Sequence, residues 1–164
     1  IHVFHRWGWD ALIPLKHKTC LWLAFWGRLN TRDNMVKKHW STIALYADCD
    51  ICSVVESFHH LVLHYRAATA LWHRLLLVPL ACRLPGIIYF VQQAASHLRF
   101  KHKWNVAFAA CAIALWHARN DRVFNSRTWT DSYVRFYAAD LIRLWRHKSK
   151  KQQDKKDLMF WATS

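Results

Sequence analysis

Apolar residues recur at helical intervals through most of the chain, and the first clear case lies near its start. Leu15, Leu23 and Trp26 fall on one face, while Lys16 lies on the polar side. This pattern predicts a helix over residues 15–26.

Five further segments show helical patterns between recognisable start and stop signals. Thr31, Ser57 and Thr130 are suitable N-caps, and Pro79 and Pro85 break the chain between segments. The predicted helices run over residues 32–38, 58–77, 87–99, 103–119 and 131–147. Gly and Pro number only three each, which argues against sheet folds that need them at turns. We therefore expect an all-α fold, an irregular bundle of about five to six helices with a short zinc-knuckle-like loop within residues 41–53.

Charge changes this picture because the chain has 24 Lys and Arg against 10 Asp and Glu, a net charge of +14. Such an excess favours polyanionic partners, nucleic acid first and anionic membrane surfaces second, although a basic but passive surface would give the same composition. The apolar runs are too short to span a bilayer, and we expect no membrane partner. The residues expected to bind nucleic-acid phosphates are Lys16, Lys18, Arg28, Arg32, Lys37, Lys38, Arg143, Arg146, Lys148, Lys150 and Lys151.

The five cysteines are an odd number and do not indicate a disulfide framework. We expect an intracellular, reducing compartment, with the nucleus as one option. Since the sequence starts at Ile1 and not at Met, we interpret it as a fragment of a longer protein or as a trimmed chain.

A possible metal site lies in the middle of the chain. Cys49 and Cys52 have the spacing with which a tight turn brings two thiolates onto one ion. On the predicted helix, His60 and His64 lie one turn apart and face the same way. These four residues would supply the four ligands of a structural zinc site. A redox Cys pair, or a chance Cys pair beside surface histidines, remains an alternative.

The order of several motifs resembles the zinc-binding domain found near the carboxyl end of plant non-LTR (LINE-type) retrotransposon reverse transcriptases. The first part of the pattern is carried by Trp9, Pro14, Lys16, Leu21, Trp22, Leu23, Gly27, Arg28, Leu29, Thr31 and Asp33. The second part is carried by Cys49, Cys52, Glu56, Ser57, His60, Leu61 and Trp72, and a downstream segment by Trp116, Arg119, Asn120 and Phe124. The resemblance implies a zinc-binding-like domain over residues 9–78. The helical patterns after it predict an extension over 86–147, and the excess of basic residues predicts a loose tail over 148–164.

One position departs from the family pattern. The resemblance implies a fourth ligand, a cysteine, where this chain has Tyr65. A neutral phenol is a poor zinc ligand, so His64 is the expected replacement, with His59 as another candidate. A site that has decayed and binds zinc weakly or not at all is the alternative.

Nothing in the sequence indicates an enzyme. No closely spaced carboxylate pair, nucleophile motif or polymerase aspartate pair is visible, and a zinc ion with four protein ligands has no open position for catalysis. The parent protein would be an RNA-directed DNA polymerase whose core is absent here. The tryptophans on predicted helices, among them Trp22 and Trp26, are expected to pack in the core, with base stacking as the alternative.

The sequence therefore predicts a non-catalytic, zinc-binding and nucleic-acid-associated module of a retrotransposon reverse transcriptase. The alternative is a metal-free helical scaffold, a degenerate retroelement remnant that packs on the absent polymerase domain. The Arg119–Asn120 pair is expected to cap its helix or to pair with Asp121 or Asp140.

Overall fold

The computed structural model describes residues 10–40, 46–75, 77–98 and 102–164. Within these ranges the chain forms nine helices and no strand, and one isolated antiparallel bridge joins Asp48 and Val55. The helices are α1 Leu15–Phe25, α2 Arg32–Lys37, α3 Phe58–Leu63, α4 Arg66–Arg74, α5 Val78–Arg83, α6 Ile87–His97, α7 Trp104–Asn125, α8 Asp131–Arg146 and α9 Gln152–Thr163. The predicted all-α class is confirmed. Trp9 and positions 41–45 of the predicted loop lie outside the described residues.

The centre of the bundle is α7, which is buried on most of its circumference from Trp104 to Arg119. Its small Ala side chains let other helices approach closely, and α8 packs along it while α9 packs on α8. A helix that is apolar all round has to lie inside the fold. The helix continues to Asn125, beyond the predicted end at residue 119, over six residues that contain no Pro or Gly to stop it.

An aromatic cluster joins the first and second halves of the chain. The ring of Trp72 on α4 lies 5.1 Å from Phe90 on α6 and 6.0 Å from Phe108 on α7, measured between centroids. Its indole N–H donates to the carbonyl oxygen of Val62 at 2.7 Å, which satisfies the buried polar end of the ring. Residues from both predicted domains thus share one core, and the boundary between residues 78 and 86 stays a prediction.

Two predicted elements differ in the structure. The predicted helix over 58–77 is divided, because His64 ends α3 and Tyr65 has an extended backbone (φ −63°, ψ 146°) before α4 begins. The expected loose tail over 148–164 contains α9, whose Leu158 and Trp161 are buried. The indole N–H of Trp161 donates to the carbonyl oxygen of His102 at 2.7 Å. No helix in the described part of the chain has the length and apolar character needed to cross a membrane.

The expectation that the helical tryptophans are core residues is partly wrong. Trp72, Trp104, Trp116 and Trp145 are buried, as expected. Trp22 and Trp26, however, are 39% and 50% exposed. They lie on the outer side of α1, whose inner side is formed by His17, Leu21 and Ala24.

Candidate metal centre

A short turn brings the two cysteines of the motif together. The backbone N–H of Cys49 donates to the carbonyl oxygen of Val54 at 2.7 Å, and that of Ser53 donates to the carbonyl oxygen of Cys49 at 2.9 Å. Ser53 has a left-handed backbone (φ 55°), which reverses the chain directly after Cys52. The turn is therefore closed by main-chain hydrogen bonds, and both sulfurs lie on the same side of it.

The third member of the site comes from the first turn of α3. The hydroxyl of Ser57 caps this helix by accepting the backbone N–H of His60 at 3.1 Å. The Nε2 atom of His60 then lies 3.1 Å from the sulfur of Cys52. The ligand atoms of Cys49, Cys52 and His60 all lie within 4.8 Å of one another.

This donor set fits three of the four positions of a zinc site. Sulfur and nitrogen ligands on one tetrahedral zinc lie about 3.6 Å apart. The sulfur of Cys52 and the Nε2 atom of His60, at 3.1 Å, are close to this separation. Burial is the main cause that lowers the pKa of His60, so its imidazole is neutral at pH 7, the form that binds metal. Burial raises the pKa of the Cys49 thiol, which would have to release its proton to an arriving cation. Two thiolates and an imidazole prefer zinc over magnesium or calcium.

His64 does not join these three residues. The backbone N–H of His64 donates to the carbonyl oxygen of His60 at 2.9 Å, so the two residues lie one helical turn apart, as expected. The Nε2 atom of His64, however, lies 3.3 Å from Nε2 of His59, and His64 is not among the three residues whose ligand atoms lie within 4.8 Å of one another. That His64 is the fourth ligand stays a prediction, which now requires its side chain to turn away from His59.

Comparison with known families identifies this region. Residues 2–72 match the family described as zinc-binding in reverse transcriptase. The match includes Cys49, Cys52 and His60, and it supports the expected resemblance to a reverse-transcriptase zinc-binding domain, while the plant LINE-type origin stays a prediction. No curated protein and no solved structure shows a significant match. The chain therefore carries a segment similar to a reverse-transcriptase zinc-binding domain, together with helices α5 to α9 that the family does not cover.

In this zinc-binding segment, Tyr65 stands where the sequence resemblance implies a fourth cysteine. Its hydroxyl accepts a hydrogen bond from the guanidinium of Arg122 on α7, which also lies 5.1 Å from the centre of the Tyr65 ring. Burial raises the pKa of Tyr65, so the phenol is neutral. Arg122 also forms an ion pair with Asp50, between the two cysteines, at 2.9 Å. Arg122 on α7 thus contacts both the turn, through Asp50, and Tyr65, which occupies the position of the expected fourth ligand.

A buried ion pair holds the zinc-binding segment on the central helix. Glu56 and Arg119 are both fully buried, and the Nε atom of Arg119 donates to Oε1 of Glu56 at 2.8 Å. The same oxygen accepts the backbone N–H of Arg32 at 2.9 Å. Sequence reasoning singled out Glu56 and Arg119 separately but did not pair them. The expected pairing of Arg119 with Asp121 or Asp140 is wrong, because Asp121 binds Asn125 and Trp129, and Asp140 binds Arg143.

The residues expected to bind phosphates have different surroundings. Arg32 lies 3.4 Å from Asp50, and Arg143 lies 2.6 Å from Asp140, so both are already neutralised by carboxylates. Lys37 forms an exposed pair with Asp33. The exposed members are Lys16, Arg28, Lys37, Lys38, Lys148, Lys150 and Lys151, while Lys18 and Arg146 are half-buried. A role in nucleic-acid binding stays a prediction for all of them.

Proposed function

We propose that this protein is a non-catalytic, zinc-binding and nucleic-acid-associated module from the carboxyl-terminal region of a plant LINE-type retrotransposon reverse transcriptase. The single observation that carries the proposal is the convergence of Cys49, Cys52 and His60 within 4.8 Å, inside the segment that matches the zinc-binding family. The ion would fix the turn against α3 and would have a structural role.

Charge supports the nucleic-acid part of the proposal. The net charge of +14 is large for a chain of this length, and most lysines of the predicted set are exposed. Contacts of lysines with phosphates are sensitive to salt and carry little sequence information. The module would thus help to hold RNA or target DNA beside the polymerase core, inside the cell.

The metal site is tested by the zinc content of protein purified without chelator. We expect about one zinc per wild-type chain and its loss in Cys52→Ala. Cys82→Ala is the matched control, because Cys82 is also exposed but lies outside the site. Absence of zinc from the wild type, or its retention in Cys52→Ala, would overturn the assigned site.

His64→Ala addresses the fourth ligand in the same experiment. Zinc lost from this variant would show that His64 turns toward the ion and completes the set. Zinc retained would assign the fourth position to another group, with His59, Tyr65 and water as the choices.

The nucleic-acid part is tested by titrating a labelled oligonucleotide at increasing salt. Binding that neutralises several phosphates should weaken by orders of magnitude between about 50 and 200 mM salt. Affinity that does not change with salt, or no binding at low salt, would contradict this part of the proposal and leave the zinc site unaffected.

A metal-free helical scaffold is the second candidate, and the contacts of Arg122 favour it specifically. Its guanidinium contacts Tyr65 and Asp50 and lies 3.7 Å from Glu56. Arg122 therefore already links the Cys49–Cys52 turn to Tyr65, the two parts of the site that a zinc ion would hold together. If this clamp is sufficient, chelator will not change the melting temperature. A lower melting temperature in chelator would argue for the zinc-dependent module.

A further inference from the structure

A cavity of about 280 Å³ lies where α4, α7, α8 and α9 meet, and it shares no residue with the cysteine turn. Alanines from three of these helices line it: Ala107 on α7, Ala138 on α8 and Ala162 on α9. Native interiors contain few voids larger than a water molecule, because unfilled space lowers stability. The volume is close to about 300 Å³, the lower limit of typical small-ligand sites.

The walls of this cavity are apolar. Trp104 and Trp161 both line it, and their ring centroids lie 5.5 Å apart. Their indole N–H groups already donate to the carbonyl oxygens of Val91 and His102. Burial raises the pKa of Cys111, another lining residue, to about 12, so its thiol is neutral at pH 7. These walls favour the apolar part of a ligand.

The charged groups of the cavity are all positive. Among the described residues that line it there are three arginines and no acidic residue. Arg74 donates to the carbonyl oxygen of Ser164 at 2.8 Å and Arg143 to that of Ala162 at 3.2 Å, so these two hold the end of α9. Arg143 is also neutralised by a carboxylate on α8.

Arg135 differs from the other two arginines. It is half-buried, and its guanidinium has no hydrogen bond or ion pair within the part of the chain that the structure describes. Its neighbour Phe136 also lines the cavity and is 59% exposed, so an apolar ring lies beside the cation at the solvent side. A guanidinium that is partly shielded from water and lacks a carboxylate favours an anionic ligand.

We propose that this cavity binds a small carboxylate with an apolar body, of the size of a medium-chain fatty acid. The apolar body lies against Trp104 and Trp161, and the carboxylate pairs with Arg135. A cavity of about 150 Å³ with apolar walls holds benzene, so one of about 280 Å³ accommodates roughly ten carbon atoms. Charge complementarity selects an anion over a neutral or cationic amphiphile of the same length. Neither zinc nor nucleic acid is needed for this binding.

Isothermal titration calorimetry with decanoate, below its micelle-forming concentration, tests the proposal on the full chain. We expect saturable binding of one decanoate per chain. Acetate, which has no apolar body, and decyltrimethylammonium, which has the opposite charge, should bind at least ten-fold more weakly. Equal binding of acetate would show attraction by net charge alone, and equal binding of decyltrimethylammonium would show unspecific apolar adsorption. Either result, or no binding of decanoate, would overturn the proposed site.

Arg135→Gln should weaken decanoate binding ten-fold or more, because it removes the charge and keeps a polar side chain. Arg146→Gln is the matched control, since Arg146 is also half-buried on α8 and lies outside the cavity. It should retain the wild-type affinity. Equal affinities of these two variants would overturn the role of Arg135.

Ala139→Leu tests the cavity itself, because Ala139 lines it on α8 and a larger side chain would occupy part of the space. This variant should lose most of the decanoate binding while its melting temperature stays close to that of the wild type. Full affinity in a folded Ala139→Leu would place decanoate elsewhere and overturn the site. If this variant does not fold, Arg135→Gln decides, because its guanidinium has no partner in the described part of the chain. Zinc content and oligonucleotide binding should be the same in all these variants, so failure here leaves the proposed function unaffected.

Discussion

At the scale of single residues, buried charge is the main feature of the zinc-binding segment. Three arginines lie around the carboxylate of Glu56: Arg32 on α2, and Arg119 and Arg122 on α7. A carboxylate without solvent is tolerated only where such partners compensate it. The ion pair between Glu56 and Arg119 therefore specifies how the turn and α3 sit on α7.

Arg119→Met tests this role. The variant leaves the buried Glu56 carboxylate without its closest partner, and we expect a loss of about 3 kcal/mol in the free energy of unfolding. Chemical denaturation measures the loss. Lys37→Met is the control, because it breaks an exposed pair with Asp33 and should cost less than 1 kcal/mol. Equal effects of the two variants would contradict a structural role for the buried pair.

His17 should make stability depend on pH. It faces Lys16, His117, Lys148 and the ring of Trp145, and burial is the main cause that lowers its pKa from 6.5 to about 4. Between these two values the unfolded chain binds a proton that the folded chain does not. The contribution of His17 is therefore complete above about pH 6.5 and is lost as the pH falls toward 4.

The measurement is the free energy of unfolding from pH 7 to pH 4 for wild type and His17→Phe. The wild type should lose about 3 kcal/mol more over this range, since each unit of pKa shift corresponds to about 1.4 kcal/mol. The buried His60, whose pKa is also lowered by burial, is present in both proteins and cancels in the comparison. Parallel pH curves would show that His17 titrates normally.

At the scale of elements, helix ends position the chemistry. Ser57 begins α3 and fixes His60 through its cap, whereas the helix ends at His64 and the extended backbone of Tyr65 brings its hydroxyl to Arg122. The side-chain cap of α8 is equivalent, because the hydroxyl of Thr130 accepts the backbone N–H of Tyr133 at 3.1 Å. Only the first of these two caps supports a metal ligand.

Ser57→Ala and Thr130→Ala form a matched pair of variants. Each removes one capping hydrogen bond and should lower the free energy of unfolding by about 1 kcal/mol. Zinc affinity should fall roughly ten-fold in Ser57→Ala, as for groups that orient a ligand, and should not change in Thr130→Ala. Competition with a chromophoric chelator measures it. Equal zinc affinities would show that the cap does not orient His60.

At the scale of the whole molecule, one aromatic core extends from the zinc-binding segment to the last helix. Trp72 contacts Phe108, Trp104 follows on α7, and Trp161 on α9 lies 5.5 Å from Trp104. Trp104, Phe108 and Trp161 lie outside the family match over residues 2–72, and they complete the core on which the matched segment packs. The zinc-binding segment should depend on α7 and α9 for its stability.

Trp161→Ala tests whether α9 is part of the fold in solution. Removing this buried ring should cost about 3 kcal/mol or more, because the cavity cannot close fully. Phe160→Ala removes a neighbouring ring that is 46% exposed and should have little effect. Thermal or chemical unfolding distinguishes the two. Similar small effects would instead describe the loose tail that the charge pattern predicts.

The sequence alone determined the helical class, four of the six predicted helices to within two residues, the start of a fifth, and the spacing that brings Cys49, Cys52 and His60 together. These features follow from local rules: apolar periodicity, capping residues and short ligand spacing act over a few residues. The region 58–77 was predicted as one helix because no Pro or Gly interrupts it. The charges of residues 148–164 favoured a tail, since the buried Leu158 and Trp161 of α9 have no partner visible nearby in the sequence.

Only the tertiary structure decided the pairing of Glu56 with Arg119, the contact of Arg122 with Tyr65 and the exposure of Trp22 and Trp26. Each depends on a residue distant in the sequence, or on which side of a helix the rest of the chain covers. Periodicity gives the faces of α1, but both carry apolar residues, so packing on the central helix decides which becomes the core. The same packing brings Lys148 near His17 on α1, because charged groups far apart in the sequence become neighbours only when helices stack.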